Sequence, residues 1–118
     1  MKAFLICPVR GASAEELVKI QQYVSEQEQK GTSVYWPYRD TDQSDPHGSD
    51  IIYSNYVGMY ESDEVHIWWN PDSKGSLFDL GMAYAMTKPL KIVNPESVVG
   101  TPHKSFENIL LWWQASIQ

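Results

Sequence analysis

A single carboxylate stands near the start of a predicted helix, at a place where α/β proteins bind ligands. Asp79 follows a β-prone run from Glu64 to Asn70 and a cluster of turn formers, Pro-Asp-Ser-Lys-Gly-Ser at 71–76, which together predict strand, loop and helix. In open α/β sheets, ligands lie outside the carboxyl ends of the strands. Asp79 is therefore a candidate catalytic group, although the helix dipole also favours an acid in any first turn and the spacing leaves the direction of its side chain open.

Arg10 and Gly11 form a second candidate site, between the first predicted strand and the first predicted helix. Free backbone N–H groups and the helix dipole favour an anion there, and a guanidinium group can clamp a phosphate. The stretch has neither the full glycine fingerprint of a dinucleotide site nor a Walker pattern. An exposed arginine beside a tight turn is an equally good interpretation.

Acidic side chains and one histidine crowd the polar run from 38 to 49 and its end. They are Asp40, Asp42, Asp45, His47 and Asp50. When this run is compared with a calcium-binding EF-hand loop, Asp45 stands in place of the required glycine and Ile51 in place of the closing glutamate. We therefore expect a solvated loop with no metal ion, and the sequence indicates no other cofactor. A loop of this length is typical of a functional or mobile segment.

The composition limits the class of partner. The length of 118 residues predicts one domain, residues 1–118. The formal net charge of −6 favours a small molecule as partner over a nucleic-acid polymer, because binding such a polymer requires Lys and Arg to neutralise its phosphates. Cys7, the only cysteine, has no evident base beside it, so we expect a packed thiol and not a nucleophile. A single cysteine is compatible with a reducing compartment. No signal peptide or membrane-spanning run is recognisable, so we expect a cytoplasmic protein. The five Trp and seven Tyr residues favour an aromatic core or subunit interface.

Apolar runs and helical periodicity alternate along the chain. Four runs predict strands, over 3–7, 33–36, 65–69 and 89–93. Helices are predicted over 14–30, where Ser13 and Glu16 have capping-box spacing and Gly31 gives a stop, and over 50–62. Two more are predicted from near Ser76 and from the Thr101-Pro102 pair. This alternation predicts an α/β fold, a flavodoxin-like doubly wound parallel sheet of four to five strands with helices on both faces.

Two motifs resemble those of the nucleoside 2-deoxyribosyltransferase-like family. They are Cys-Pro-Val-Arg-Gly at 7–11, after the first strand, and Asp-Ser-Lys-Gly-Ser-Leu-Phe-Asp-Leu-Gly-Met-Ala at 72–83, after the third. The family includes transferases acting on deoxynucleosides and hydrolases that split nucleoside 5'-monophosphates into base and sugar phosphate. The resemblance implies the same fold, a nucleoside or nucleotide as partner, and a homodimer or higher homo-oligomer that shares residues across its interface.

The resemblance also implies roles for individual residues. A glutamate followed by Leu-Gly opens the family's helix and attacks the anomeric carbon of the sugar, and Asp79 occupies its place. Ser73 falls where the monophosphate hydrolases use a serine on the phosphate, and the first loop falls where theirs wraps it. The sugar or phosphate contacts that we expect are Pro8, Arg10, Gly11, Ser73, Gly75 and Ser76.

Two positions depart from the family pattern. Aspartate is one methylene shorter than glutamate, and an ångström-scale retreat of a reacting group costs about a hundredfold in rate. An aspartate in the preceding helix usually handles the base or the leaving group. The matching position is Asn55, which cannot donate a proton as an acid, with Asp50 about a turn earlier as a substitute.

The sequence therefore leads to one hypothesis and two alternatives. The main hypothesis is an enzyme that cleaves or transfers at the N-glycosidic bond of a nucleoside or nucleoside 5'-monophosphate, with Asp79 as nucleophile or as the carboxylate that stabilises an oxocarbenium-like centre. The departures favour a non-catalytic nucleotide-binding or sequestering protein as the first alternative. A small interaction module whose tryptophans form a protein interface is the second.

Overall fold

The computed structural model describes residues 1–117, in which four strands form one parallel sheet. The strands are β1 (Lys2–Ile6), β2 (Ser33–Tyr35), β3 (Glu64–Ile67) and β4 (Leu90–Ile92). Their order across the sheet is β2-β1-β3-β4, and each neighbouring pair is parallel. The four predicted strands and the flavodoxin-like order of a doubly wound sheet are confirmed.

Five α-helices connect and follow the strands within residues 1–117. They are α1 (Ala14–Gln29), α2 (Pro37–Asp40), α3 (Ser49–Tyr60), α4 (Lys74–Ala85) and α5 (Phe106–Ser116). A single 3-10 turn covers Pro95–Ser97, between β4 and α5. The predicted helices over 14–30 and 50–62 are confirmed to within two residues at each end.

Helices cover both faces of the sheet. Successive side chains of β1 point to opposite faces, and each set packs against different helices. Leu5 packs in a buried cluster with Ile20 and Val24 of α1. Phe4 and Ile6 pack in a larger cluster on the other face, to which α3, α4 and α5 contribute Met59, Leu80, Ala83, Leu110 and Trp113. The predicted helices on both faces are therefore confirmed.

Local side chains set the ends of α1 as the sequence predicts. Ser13 Oγ accepts a hydrogen bond from the Glu16 backbone N–H at 3.1 Å, and the Glu16 carboxylate accepts one from the Ser13 N–H at 3.4 Å. These two bonds complete the capping box. Beyond the helix, Gly31 adopts a φ of +92°, which is accessible to glycine at little cost and ends the helix.

One of the predicted boundaries in the middle of the chain is wrong. The polar run from 38 to 49 is not irregular throughout, because Pro37 starts the short helix α2 with the backbone φ that suits a first helical position. The predicted start of a helix near Ser76 is confirmed to within two residues, since α4 begins at Lys74. It begins there because Ser73 Oγ accepts from the Ser76 N–H and so caps the helix.

The predicted start of the last helix at Thr101 and Pro102 is also wrong. The Thr101 hydroxyl donates to the His103 carbonyl at 2.6 Å instead of capping a helix. The Asn108 side chain binds the main chain of Thr101 and the His103 carbonyl, which holds this segment as a loop. Helix α5 therefore begins at Phe106, with Ser105 Oγ accepting from the Asn108 N–H at 3.0 Å.

The connections after β1 and β3 leave the sheet on opposite faces. Helix α1 follows β1 onto one face, whereas α4 follows β3 onto the other. Where the connections of two neighbouring parallel strands go to opposite faces, a crevice opens at the carboxyl ends of the strands. The space between β1 and β3 is thus the expected ligand site. Among the helices of residues 1–117, none is long and apolar enough to cross a bilayer.

Candidate active site at the ends of strands β1 and β3

A cavity of about 680 Å³ opens at the carboxyl ends of β1 and β3. The loop after β1, residues 7–11, forms one wall, and residues between 70 and 75, from the end of the β3–α4 connection and the start of α4, form another. Parts of the polar run before α3, with the first turn of α3, form a third wall. Asp79 of α4 and Asn55 of α3 also line the cavity. The fold therefore brings both sequence motifs to one place.

Asp79 lies on the buried face of α4 and is 7% exposed. Ser76 and Ala83, about one helical turn to either side, are buried on the same face, so the packing of α4 fixes the direction of the carboxylate. Among the described residues, Asp79 Oδ1 has no hydrogen-bond partner. A buried polar atom without a partner costs free energy, and a bound ligand can supply the missing contact.

Burial raises the pKa of Asp79 to about 7, because the charged carboxylate is disfavoured away from water. The Asn55 side chain acts in the opposite direction and favours the charged form. The protonated and ionised forms are therefore both populated near neutral pH. A carboxylate shifted towards neutrality inside a cleft is typical of a catalytic acid, base or nucleophile.

The N-terminus of α4 reaches the cavity through Ser73, Lys74 and Gly75. Ser73 Oγ accepts from the Ser76 N–H at 3.3 Å and lies 2.8 Å from Ser76 Oγ. Ser76 itself is 1% exposed and lies behind the lining residues. The first turn of a helix presents free N–H groups that favour an anion, so this end of α4 suits a phosphate.

The first motif lines the cavity with Pro8, Arg10 and Gly11. Pro8 is buried, whereas Arg10 and Gly11 are exposed. The half-buried Asp45 and the exposed Asp72 also line the cavity, so charges of both signs surround it. An anion would therefore be held by individual groups and not by a uniformly positive wall.

Of the two positions expected to handle the base, the structure brings only Asn55 into the cavity. Asn55 is 6% exposed and lines the cavity with Asp79. Asp50 is exposed in the first turn of α3, where its backbone N–H donates to Asp45 Oδ2 at 2.7 Å, and it is not a lining residue. An amide therefore stands next to the carboxylate.

The acids of the polar run bind the backbone of their own loop. Asp42 Oδ1 accepts from the Ser44 N–H at 3.0 Å, and Asp45 accepts from the N–H groups of His47 and Asp50. Within residues 1–117, no three His, Cys, Asp or Glu side chains are grouped as a metal site requires. These bonds shape the loop that forms the third wall of the cavity.

Several side chains of the site were missed by reasoning from the sequence. Asn70 lines the cavity after β3, and Thr41, 6% exposed, binds Asn55 behind the cavity wall. For Thr41, the only signal in the sequence was the length of the polar run from 38 to 49, which singled out no residue. Cys7 is a packed thiol as expected, but it also lines the cavity, where burial raises its pKa to about 12.

We predict that Asp79→Asn stabilises the folded protein at pH 8. The folded pKa of about 7 lies above the ordinary aspartate value of 3.8, so ionisation of Asp79 opposes folding. The gain over wild type should be smallest below pH 4, grow between pH 4 and 7, and level off at about 4 kcal/mol above that. Urea unfolding at pH 5 and pH 8 measures it.

Asp72→Asn is the matched control for this variant, since it removes the charge of an exposed aspartate that lines the same cavity. We expect little dependence of its stability change on pH. A gain for Asp79→Asn that is the same at both pH values would contradict the burial of an ionisable group at this position.

No family model and no curated protein matches the sequence. Among solved structures, the 2-deoxyribosyltransferase of the psychrotolerant bacterium Bacillus psychrosaccharolyticus gives a TM-score of 0.67 at 16% identity, covering 99% of this chain and 96% of that one. The CMP N-glycosidase BcmB of Clostridium botulinum gives a TM-score of 0.57 at 22% identity, covering 78% of this chain and 66% of that one. These neighbours match the family that the two motifs resemble, and the chain has the 2-deoxyribosyltransferase fold.

Proposed function

We propose that the protein cleaves or transfers at the N-glycosidic bond of a (deoxy)nucleoside or a nucleoside 5'-monophosphate. The observation that carries this proposal is the buried Asp79 carboxylate. It lies in the cavity between the connections that follow β1 and β3, and one of its oxygens has no hydrogen-bond partner among the described residues. Its place in the second motif and the similarity of the fold to a 2-deoxyribosyltransferase and a CMP N-glycosidase support the same chemistry.

In the proposed reaction, an ionised oxygen of Asp79 attacks the anomeric carbon of the sugar. The C–O bond forms as the C–N bond to the base breaks, and the base leaves with the electron pair and takes a proton from water. Water then cleaves the glycosyl ester, or a second base accepts the sugar, and Asp79 is regenerated. This two-step course is that of retaining glycosidases.

Arg10 and the first turn of α4 are the proposed anchors for the 5' side of the sugar. A guanidinium group and free backbone N–H groups bind phosphate through charge-assisted hydrogen bonds. Ser73 Oγ adds a hydroxyl donor when Ser76 Oγ donates to it across their 2.8 Å contact. Of the remaining proposed contacts, Gly11 and Gly75 can donate backbone N–H groups, Ser76 acts through Ser73, and Pro8, which has no N–H, forms part of the cavity wall.

A non-catalytic nucleotide-binding protein is the second candidate function. Asn55 favours it, because an amide cannot protonate a departing base. In this case the cavity holds an intact nucleotide.

We also propose a homo-oligomer assembled through an apolar groove between α4 and α5. The groove has a volume of about 470 Å³, and its lining within residues 1–117 includes no charged side chain. Phe106, Ile109 and Trp112 are exposed along it, as is typical of a protein interface. In a two-fold interface the same surface meets itself, so an uncharged groove avoids like-charge repulsion.

Incubation with a panel of deoxynucleosides and 5'-monophosphates should release free base, measured by chromatography. Asp79→Asn should lower the rate by about 10³-fold or more, because the attacking oxygen loses its charge. The wild-type rate should rise with pH through about 7, as Asp79 ionises. Lys19→Ala, on the exposed surface of α1, is the control and should keep the wild-type rate.

Unchanged release by Asp79→Asn would remove Asp79 from the reaction. If the wild type releases no base but binds an intact nucleotide tightly in calorimetry, the non-catalytic candidate is favoured. If no nucleotide raises the melting temperature, both candidates fail and the interaction module gains support.

Arg10→Ala should discriminate between the two substrate classes. We expect the KM for a 5'-monophosphate to rise by about tenfold or more, because a charge-assisted hydrogen bond to phosphate is lost, while the KM for the matching deoxynucleoside changes little. Steady-state kinetics with the two substrates measure this, or calorimetric Kd values if there is no turnover. An equal rise in KM or Kd for both substrates would show that Arg10 does not bind the phosphate.

The oligomer is tested by light scattering on the purified protein. The wild type should show at least twice the 13.5 kDa of one chain. Trp112→Lys should shift the population towards the monomer, because it places a charge in the apolar groove. Val18→Lys, at an exposed apolar position on α1, is the matched control and should not change the mass. A monomeric wild type would refute the proposed assembly.

A further inference from the structure

Three hydrogen-bonded side chains lead from the end of β2 to the Asp79 cavity. Tyr35 Oη lies 2.6 Å from Thr41 Oγ1, and Thr41 Oγ1 lies 2.9 Å from Asn55 Oδ1. Thr41 and Asn55 are each 6% exposed, and Asn55 lines the cavity with Asp79. The proposed reaction as described above gives neither Tyr35 nor Thr41 a role.

Proton counting gives the direction of donation along these side chains. An amide carbonyl oxygen can only accept, so the single hydroxyl proton of Thr41 is donated to Asn55 Oδ1. Thr41 Oγ1 therefore accepts the proton of the Tyr35 hydroxyl. Because the carbonyl end of the Asn55 amide is engaged by Thr41, its NH₂ end is left for the cavity side, where Asp79 lies.

The Tyr35 ring is held from two sides. It stacks on the Phe4 ring with centroids 5.3 Å apart and an interplanar angle of 11°. Gly58 of α3 lies so close that a Cβ atom there would be 3.0 Å from the ring. Gly58 is about one helical turn from Asn55, so one face of α3 carries both the ring contact and the amide.

We propose that Thr41 is a positioning residue of the site: its hydroxyl, oriented by Tyr35, holds the Asn55 amide with the NH₂ group towards the Asp79 carboxylate. The inference rests on the proposed function only in giving Asp79 the reacting role. Without the Thr41 hydroxyl, the amide is free to turn and present its carbonyl oxygen to Asp79. A donor favours the charged carboxylate and a carbonyl oxygen disfavours it. One buried hydroxyl thus controls how readily Asp79 ionises.

The surroundings of Asp79 allow this effect to be measured. Burial raises the pKa of the neighbouring Cys7 thiol to about 12, so the thiol stays neutral while Asp79 titrates. The pKa of Asp79 is raised by burial and lowered by the Asn55 side chain, which is the direction that an NH₂ donor requires. The other titratable groups that line the cavity are Arg10, Asp45, His47, Asp72 and Lys74.

The test is the titration of Asp79 in protein labelled with [¹³C]aspartate, followed by carboxyl-carbon NMR, with Asp79→Asn to assign the resonance. Thr41→Val replaces the hydroxyl by a methyl group and should raise the midpoint by about one pH unit. Tyr35→Phe should raise it by less. Thr41→Ser restores the hydroxyl and should titrate as wild type.

Thr32→Val removes a hydroxyl from the turn before β2 and is the matched control, which should leave the midpoint unchanged. Equal midpoints in wild type, Thr41→Val and Tyr35→Phe would overturn the proposal, as would an equal shift in Thr32→Val. If Thr41→Val does not fold, Tyr35→Phe decides it, and a wild-type midpoint in that variant would overturn the proposal.

The titration requires no turnover, so its failure is distinct from that of the proposed function. A wild type that releases no base defeats the enzymatic proposal, while the titration still tests the role of Thr41. In an active protein, the acid limb of the kcat/KM profile should move to higher pH in Thr41→Val by the same amount as the midpoint. A rate loss without that displacement would indicate a merely structural role.

Discussion

Strands β1 and β3 are hydrogen-bonded neighbours whose following helices lie on opposite faces of the sheet. The two loops that leave these strands diverge from the start, so a crevice remains between them. The first sequence motif lies in one of these loops, the second begins at the end of the other and continues into α4, and the polar run with α3 closes the third side. The residues that line the cavity come together because of this divergence, although they lie far apart along the chain.

The Asp79 carboxylate is held in that crevice at a cost in folding free energy. Its burial follows from the packing of α4, whose Leu80 and Ala83 belong to the core on the same side of the sheet. The packing of these apolar side chains fixes the face of α4 on which the carboxylate lies. The core thereby imposes a protonation equilibrium near neutral pH that an exposed acid would not have.

Two neutral polar groups line the cavity beside this carboxylate. They are the Asn55 amide and the Cys7 thiol, with the Thr41 hydroxyl behind the amide. A second acid in the place of Asn55 would couple its titration to that of Asp79, whereas an amide does not titrate. An amide has two unlike ends, so it acts on the carboxylate only if its orientation is fixed. Hydrogen bonds from the side remote from the cavity can supply that orientation.

The sequence by itself determined the order of the strands and of the four longer helices, the parallel α/β fold and the place of Arg10 and Asp79 in the segments that follow β1 and β3. It could do so because hydrophobic periodicity, caps and turns act over a few neighbouring residues. Where two local signals competed, as at Thr101, a contact with Asn108 decided and the prediction was wrong. Only the tertiary structure decided that Asp79 faces inwards and that Asn55 stands beside it. Both depend on how α3 and α4 pack on the sheet, and packing between distant segments has no short-range pattern in the sequence.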